Sequence, residues 1–184
     1  ITSDHGEEFY EHGGFGHVNT LFNEIVKIPF ILWYPKRWNG VRVNRLTSQV
    51  SFLPMVLNLL GIPKPDGIQG KGRFPETPNG PAVSAVYGEK LWLNKGQFQE
   101  SWFVVQGNHK LLESMSPNGK SVALYNLKID PLEKRNILRT GEAPSTRLMR
   151  IMTQFKKNNR KRRSFRWLPE SGRIDKAAEE RLRA

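Results

Sequence analysis

The chain has 184 residues, 29 Lys and Arg against 17 Asp and Glu for a formal net charge of +12, and no cysteine. Its length can bury a core, and 38% apolar with 25% charged residues fits neither a disordered chain nor a bundle of membrane-spanning helices. Disulfides, thiolate metal ligands and a cysteine nucleophile are excluded within it. Ile1-Thr2-Ser3 reads as the end of a strand running into the polar loop Asp4 to Gly16. Leu21, Phe22, Ile25 and Val26 recur at helix-like spacing within Val18 to Val26. Ile28 to Tyr34, β-branched and aromatic, reads as a buried strand. Ser51 to Leu60 reads as a helix. Ser51 is the expected N-cap, Pro54 falls in the first turn, and Leu53, Val56, Leu57 and Leu60 form its apolar face. Gly61 and Pro63 end it. Pro63 to Pro81 is a connector rich in proline and glycine. Short alternating runs follow at Ala82–Tyr87, Trp102–Gln106, Lys110–Glu113 and Val122–Leu127, with Gly107-Asn108 and Pro117-Asn118-Gly119 between them. They predict a small antiparallel sheet. Helices are expected over Thr146–Lys157 and Asp175–Arg183, with a basic linker between them.

The charge is concentrated at the end of the chain. Arg150 to Ala184 holds 12 basic and 4 acidic residues, and its peak runs from Lys156 to Trp167. A basic run with Phe165 and Trp167 can grip a polyanion or an anionic membrane surface, and it can equally be a solvated tail. No nucleic-acid-binding signature accompanies it, so no specific nucleic-acid partner is expected. The chain opens Ile1-Thr2-Ser3-Asp4 rather than with methionine and is read as a piece of a longer protein.

Chemistry concentrates in Thr2-Ser3-Asp4-His5-Gly6-Glu7-Glu8-Phe9-Tyr10-Glu11-His12-Gly13-Gly14-Phe15-Gly16-His17, which holds three of the four histidines. A strand ending in Asp-His sets a carboxylate and an imidazole side by side, where α/β folds place their sites. A divalent metal held there polarises a sulfuryl or phosphoryl oxygen. Gly6 lets the backbone turn away, and Gly13, Gly14 and Gly16 allow close approach to a ligand. His17 re-enters as a further ligand or as a proton source for a leaving group. By spacing alone, a solvated loop and a metal site both remain open.

These residues, with Leu21-Phe22-Asn23-Glu24 and Lys27-Ile28-Pro29-Phe30-Ile31-Leu32, resemble the C-terminal metal-binding segment of the sulfatase family in the alkaline phosphatase superfamily. Gln49 to Ile62 resembles the helix that follows, and Ile68-Gln69-Gly70 its exit. His109-Lys110-Leu111 and Leu124-Tyr125-Asn126-Leu127-Lys128-Ile129-Asp130-Pro131-Leu132-Glu133-Lys134-Arg135-Asn136 resemble the family's late signature, and Glu180 to Ala184 resembles a common terminal segment. The resemblance implies an α/β fold, the C-terminal part of an alkaline-phosphatase-like sulfatase, with a small antiparallel sheet plus helix subdomain. Residues 1–72 would end the core with its metal loop, 73–150 would form the subdomain, and 151–184 the basic tail.

The resemblance further implies Asp4 and His5 as ligands of one divalent metal ion, Ca²⁺ first, with Mn²⁺ or Zn²⁺ open because His5 stands where many arylsulfatases carry Asn. His17 would contact the sulfate or protonate the leaving oxygen, and His12 would line the loop with a possible substrate contact. Glu24 would anchor the following helix, and the Asp130-Pro131-Leu132-Glu133 turn would be structural. Ser51 and Met55 depart from the family's usual Asp and Thr. The family's Cys/Ser-x-Pro-x-Arg motif, source of its formylglycine nucleophile, is absent. The lookalike Glu142-Ala143-Pro144-Ser145-Thr146-Arg147 places glutamate at the nucleophile and arginine one position late. The formylglycine is therefore expected upstream of Ile1, and the 184 residues alone are expected to show no turnover. The implied substrate is an aryl or carbohydrate sulfate ester, and the implied compartment is periplasmic, extracellular or membrane-attached. A phosphonate monoester hydrolase or phosphoethanolamine transferase of the same superfamily, and a polyanion-binding module, are the alternatives.

Overall fold

The structure, a computed structural model, describes residues 1–17, 20–35, 40–43, 46–70, 72, 85–92, 98–139 and 143–162. Contacts between Cα atoms divide the chain into the units Ile1–Met152 and Thr153–Ala184. Strands β1 (Glu8–Phe9) and β2 (Phe15–Gly16) form an antiparallel ribbon, and helix α1 (Asn23–Val26) follows it. A 3-10 turn over Gln49–Ser51 leads into helix α2 (Phe52–Leu59). Strands β3 (Ala85–Trp92), β4 (Phe98–Gln106), β5 (His109–Ser116) and β6 (Gly119–Asn126) pair in sequence order as an antiparallel meander. Helix α3 (Ala143–Arg162) closes the described chain. Among the described residues no helix is long and apolar enough to cross a membrane.

The meander bears out the predicted sheet, although residues 82–84 of the first run lie outside the described residues. Trp102, Phe103, Val104 and Val105 are all buried, so both faces of β4 are covered. Phe103 and Val105 pack with Leu21, and Val26, Leu112 and Leu127 close around them. Gly107-Asn108 is a two-residue hairpin loop with positive φ at Gly107, as a type II′ turn demands. The second hairpin differs from the Asn-Gly expectation. Ser116 pairs with Gly119, so Pro117-Asn118 forms the loop and the glycine belongs to β6.

Four other expectations are corrected. Ile28–Tyr34 is not a buried strand: it makes one antiparallel bridge, Thr2 to Phe30, and Trp33 is 84% exposed. Strand burial needs covering neighbours, and the described residues supply only the edge at Thr2. The predicted helical stretch over Val18–Val26 shrinks to α1, because Thr20 to Phe22 are not helical and residues 18–19 lie outside the described residues. Helix α2 ends as foreseen, with Gly61 at φ +69° and the Gly61 and Ile62 amides bonded to the Asn58 and Leu57 carbonyls. Its start does not: Ser51 has helical dihedrals and makes no capping bond, and Pro54 and Met55 are the buried residues. Leu53 and Leu60, placed on the apolar face, are exposed. Helix α3 runs on past Lys157 through Arg160, Lys161 and Arg162, so residues 158–162 at the start of the supposed basic linker are helical. The helix expected over Asp175–Arg183 lies outside the described residues.

A buried polar hub ties the sheet to the loop region. The Lys110 ammonium on β5 lies 2.8 Å from Glu133 Oε1, with neither side chain exposed, and 5.2 Å from the Phe103 ring centroid. Glu133 Oε2 accepts the Asn23 amide at 2.6 Å and so supplies the first turn of α1 with the capping acceptor that Phe22, at the N-cap, cannot offer. Lys110 also donates to Asn23 Oδ1 at 3.3 Å, and Asn23 Nδ2 donates to the Pro131 carbonyl at 3.2 Å. Glu133 adopts φ +55°, a left-handed conformation that costs a non-glycine residue about 1 kcal/mol or more and holds its carboxylate inward.

Candidate metal and catalytic site

The segment Ile1–Asp4 is held from two sides. The Ile31 amide donates to the Ile1 carbonyl at 2.8 Å, and Gln49 Nε2 donates to the Ser3 and Asp4 carbonyls at 3.4 and 3.2 Å. Gly6 then passes against α1. Its amide donates to the Ile25 carbonyl at 2.7 Å, and a Cβ there would overlap the Glu24 carbonyl oxygen. A similar constraint explains Gly70, where a Cβ would run into the Val50 carbonyl beside Gln49.

Asp4 Oδ1 accepts the His5 amide at 3.0 Å. That bond, with one from its own amide and with the adjacent His5 imidazole, holds the Asp4 carboxyl below the usual carboxylate value. His5 Nδ1 lies 2.9 Å from the Gly6 carbonyl, which can only accept, so the ring carries its proton there. Nε2 lies 3.6 Å from Asp4 Oδ2. His17 returns to this point from the far end of the β1–β2 ribbon, its ring centroid 4.2 Å from that of His5. Glu7 Oε1 receives His17 Nδ1 at 2.7 Å. Donor atoms of His5, Glu7 and His17 all lie within 4.8 Å of one another.

The structure therefore brings Asp4, His5 and His17 together and adds Glu7, which the sequence reading did not single out. Its signal was the ribbon register: Glu8 pairs with Gly16 and Phe9 with Phe15, so Glu7 falls opposite His17. Glu7 and the two imidazoles, with Asp4 beside His5, would suit a divalent ion, and the nitrogen donors favour Mn²⁺ or Zn²⁺ over Ca²⁺, which prefers an all-oxygen shell.

His12 lies elsewhere. Its Nδ1 is 2.5 Å from Glu24 Oε1, its Nε2 is 3.3 Å from the Glu133 carbonyl, and its ring stacks on Phe22 at 3.6 Å. Beside it, the buried Glu8 carboxylate accepts the His12 and Gly14 amides at 2.9 and 2.8 Å. Glu8, His12 and Glu24 also come within metal-binding reach of one another, yet their polar atoms already hold the loop closed. Gly14 is required by Glu8 rather than by a ligand: a Cβ there would sit 2.8 Å from its carboxylate oxygen.

A family model described as N-sulphoglucosamine sulphohydrolase, C-terminal, matches residues 10–162. The chain belongs to this sulfatase family. The matched range includes His12 and His17 and begins after Asp4 and His5. An N-acetylglucosamine-6-O-sulfatase of Bacteroides thetaiotaomicron is 26% identical over 165 residues, covering 85% of this sulfatase chain and 29% of that protein. Arylsulfatase K of Danio rerio is 32% identical over 75 residues, covering 41% of this chain and 14% of its own length. A solved 2-O GAG sulfatase superposes with a TM-score of 0.63 at 20% identity, over 90% of this chain and 37% of that one. The fold is that of the C-terminal part of a sulfatase, and the chain spans less than a third of the first of these relatives.

Proposed function

We propose that this chain supplies the metal-binding and leaving-group half of a sulfuric ester hydrolase. The reading rests above all on the convergence of His5, Glu7 and His17 at the base of one ribbon, with Asp4 beside His5. Asp4 and His5 would hold one divalent cation, with Glu7 and His17 in reach of the same position. When bound, such a cation supplies Lewis-acid polarisation of a sulfuryl oxygen.

The remaining work belongs to the chain's own side chains. Glu7 fixes the His17 ring through Nδ1, and Nε2, which has no hydrogen-bond partner among the described residues, is aimed to protonate the departing ester oxygen. His12 holds the loop through Glu24 and the Glu133 carbonyl rather than meeting substrate. The remainder of the longer protein would contribute the formylglycine nucleophile and cover the exposed apolar side chains of Phe30–Tyr34 and of Phe52, Leu53 and Leu60.

The test uses the full-length protein carrying this chain. Asp4→Ala and His5→Ala should each remove sulfate release from aryl and sugar sulfates and lower the metal content of the purified protein. Wild-type turnover and metal content in either variant would refute the site.

A further inference from the structure

The β1–β2 ribbon carries three large aromatic side chains in the open. Phe9, Tyr10 and Phe15 are 63, 71 and 65% exposed. They touch one another: Phe9 and Phe15 meet edge to face at 5.8 Å, and Tyr10 lies 5.6 Å from Phe15. The ribbon that presents them is braced from beneath. Glu8, on its other face, is buried and gathers the amides of the turn, while the Tyr10 amide bonds the Gly14 carbonyl at 2.8 Å and the Gly13 amide bonds the Tyr10 carbonyl at 3.3 Å. Tyr10 itself adopts φ +69°, a conformation that is costly for a residue with a Cβ and persists only where surrounding bonds impose it.

The register says what this aromatic pair faces. Side chains alternate across a strand, so Glu7 shares a face with Phe9, and His17 shares a face with Phe15. Phe9 and Phe15 are direct cross-strand partners, and Glu7 and His17 form the next pair in line, joined at 2.7 Å. One ribbon face thus reads, two residues apart, a hydrogen-bonded Glu–His pair and then an aromatic pair. The step between them is about 7 Å at roughly 3.4 Å per residue, comparable with the width of a pyranose ring.

We propose that Phe9 and Phe15 form a stacking platform for the sugar ring that bears the sulfate ester, making them specificity-determining residues. The assignment rests on the proposed sulfate-ester site and extends it toward a carbohydrate sulfate. The negative face of an aromatic ring attracts C–H bonds polarised by neighbouring oxygens, which line one face of a pyranose. With the ester oxygen at His17, the sugar ring lies along the ribbon on the face of one phenyl ring, while the other, standing at 80° to it, bounds its edge. An apolar surface next to a few convergent polar groups is how small-ligand sites orient a substrate.

The test compares Phe9→Ala, Phe15→Ala, Phe9→Leu, Phe15→Leu and Phe15→Trp in the full-length protein. KM and kcat are measured on a panel of sulfated monosaccharides beginning with N-acetylglucosamine 6-sulfate. Inhibition by inorganic sulfate, metal content and melting temperature are measured alongside. Stacking requires KM for sugar sulfates to rise about tenfold in the alanine and leucine variants alike. Phe15→Trp should stay near wild type, and sulfate inhibition and metal content should not change. An unaltered KM overturns the platform, as does a parallel shift in sulfate inhibition or metal content, which would make the ribbon a prop for the metal loop. Rescue by leucine with melting lost only in alanine overturns it too, by showing a packing surface. Wild-type turnover of aryl sulfate but of no sugar sulfate refutes the platform alone. Absence of turnover on every sulfate ester refutes the hydrolase reading, and the platform falls with it.

Discussion

Replacing Lys110 by methionine removes one half of a fully buried ion pair and leaves the Glu133 carboxylate facing Phe103 and α1 without its cation. At the observed 2.8 Å the pair attraction is about 6 kcal/mol for an effective dielectric of about 20. Desolvating the two ions offsets most of it, at several kcal/mol each, so the intact pair contributes little net stability. Truncating one partner is different, because the survivor keeps its desolvation cost: the expected loss for Lys110→Met is about 3–5 kcal/mol. Glu133→Gln should cost less, since an uncharged amide can still accept the Asn23 amide and Lys110 can shed its proton. Burial holds the Lys110 ammonium below its usual value of 10.5, with Glu133 pulling the other way. Between that lowered value and 10.5 the unfolded chain binds more protons than the folded one, so stability rises with pH through this window. Without Glu133 the window widens downward, and the deficit of Glu133→Gln should shrink as pH rises toward 10.5. Urea unfolding followed by the fluorescence of buried Trp102 measures all of this, and Lys110→Met/Glu133→Gln should recover part of the Lys110→Met loss. A loss below about 1 kcal/mol in Lys110→Met, or additivity in the double variant, would refute the hub.

His17→Ala should slow substrates with poor leaving groups most, and a uniform loss across leaving groups would instead make His17 a binding residue. Gly6→Ala should lower stability by about 1–3 kcal/mol and weaken metal retention, since its Cβ must displace the Glu24 carbonyl; metal content at equal folding checks this. Asp130 accepts the Arg135 and Lys134 amides at 2.9 and 3.0 Å, which hold its carboxyl below 3.8. Its stabilising contribution is present above 3.8 and is lost as pH falls through the lowered value, so Asp130→Asn should destabilise at neutral pH and flatten the acid limb of the stability profile.

How legible these features were depended on where each residue finds its partners. The meander was legible because alternating runs and the Gly107-Asn108 and Asn118-Gly119 turn signals specify neighbours a few residues away, although the second loop closes on Pro117-Asn118 instead. The Asp4–His5–His17 constellation was legible as residue types clustered in one loop. Glu7 emerged only from the ribbon register, and the pairing of His17 with Glu7 and of His12 with Glu24 only from the folded loop. Helix α1 was overextended because its first turn is completed by Glu133, 110 residues away, which no local pattern encodes. That same contact gives the late Asp-Pro-Leu-Glu segment its purpose.

The two failed burial expectations share a cause that bears on function. Ile28–Tyr34 and the Leu53–Leu60 face of α2 carry the composition of core elements, and Phe30 meets Phe52 edge to face at 5.9 Å, so they adjoin. A hydrophobic pattern records what a segment is built to bury, whereas exposure records only what lies over it in these 184 residues. Where both disagree over adjoining elements, the pattern describes a surface made for a neighbour. The aromatic ribbon differs from both in its alignment. Its rings project from a turn that Glu8 and two backbone bonds hold in a strained form, and they share a face with Glu7 and His17. A packing surface needs apolar area but no such alignment. Substituting leucine for phenylalanine keeps the area and removes the aromatic face, and for that reason the leucine variants separate the two roles.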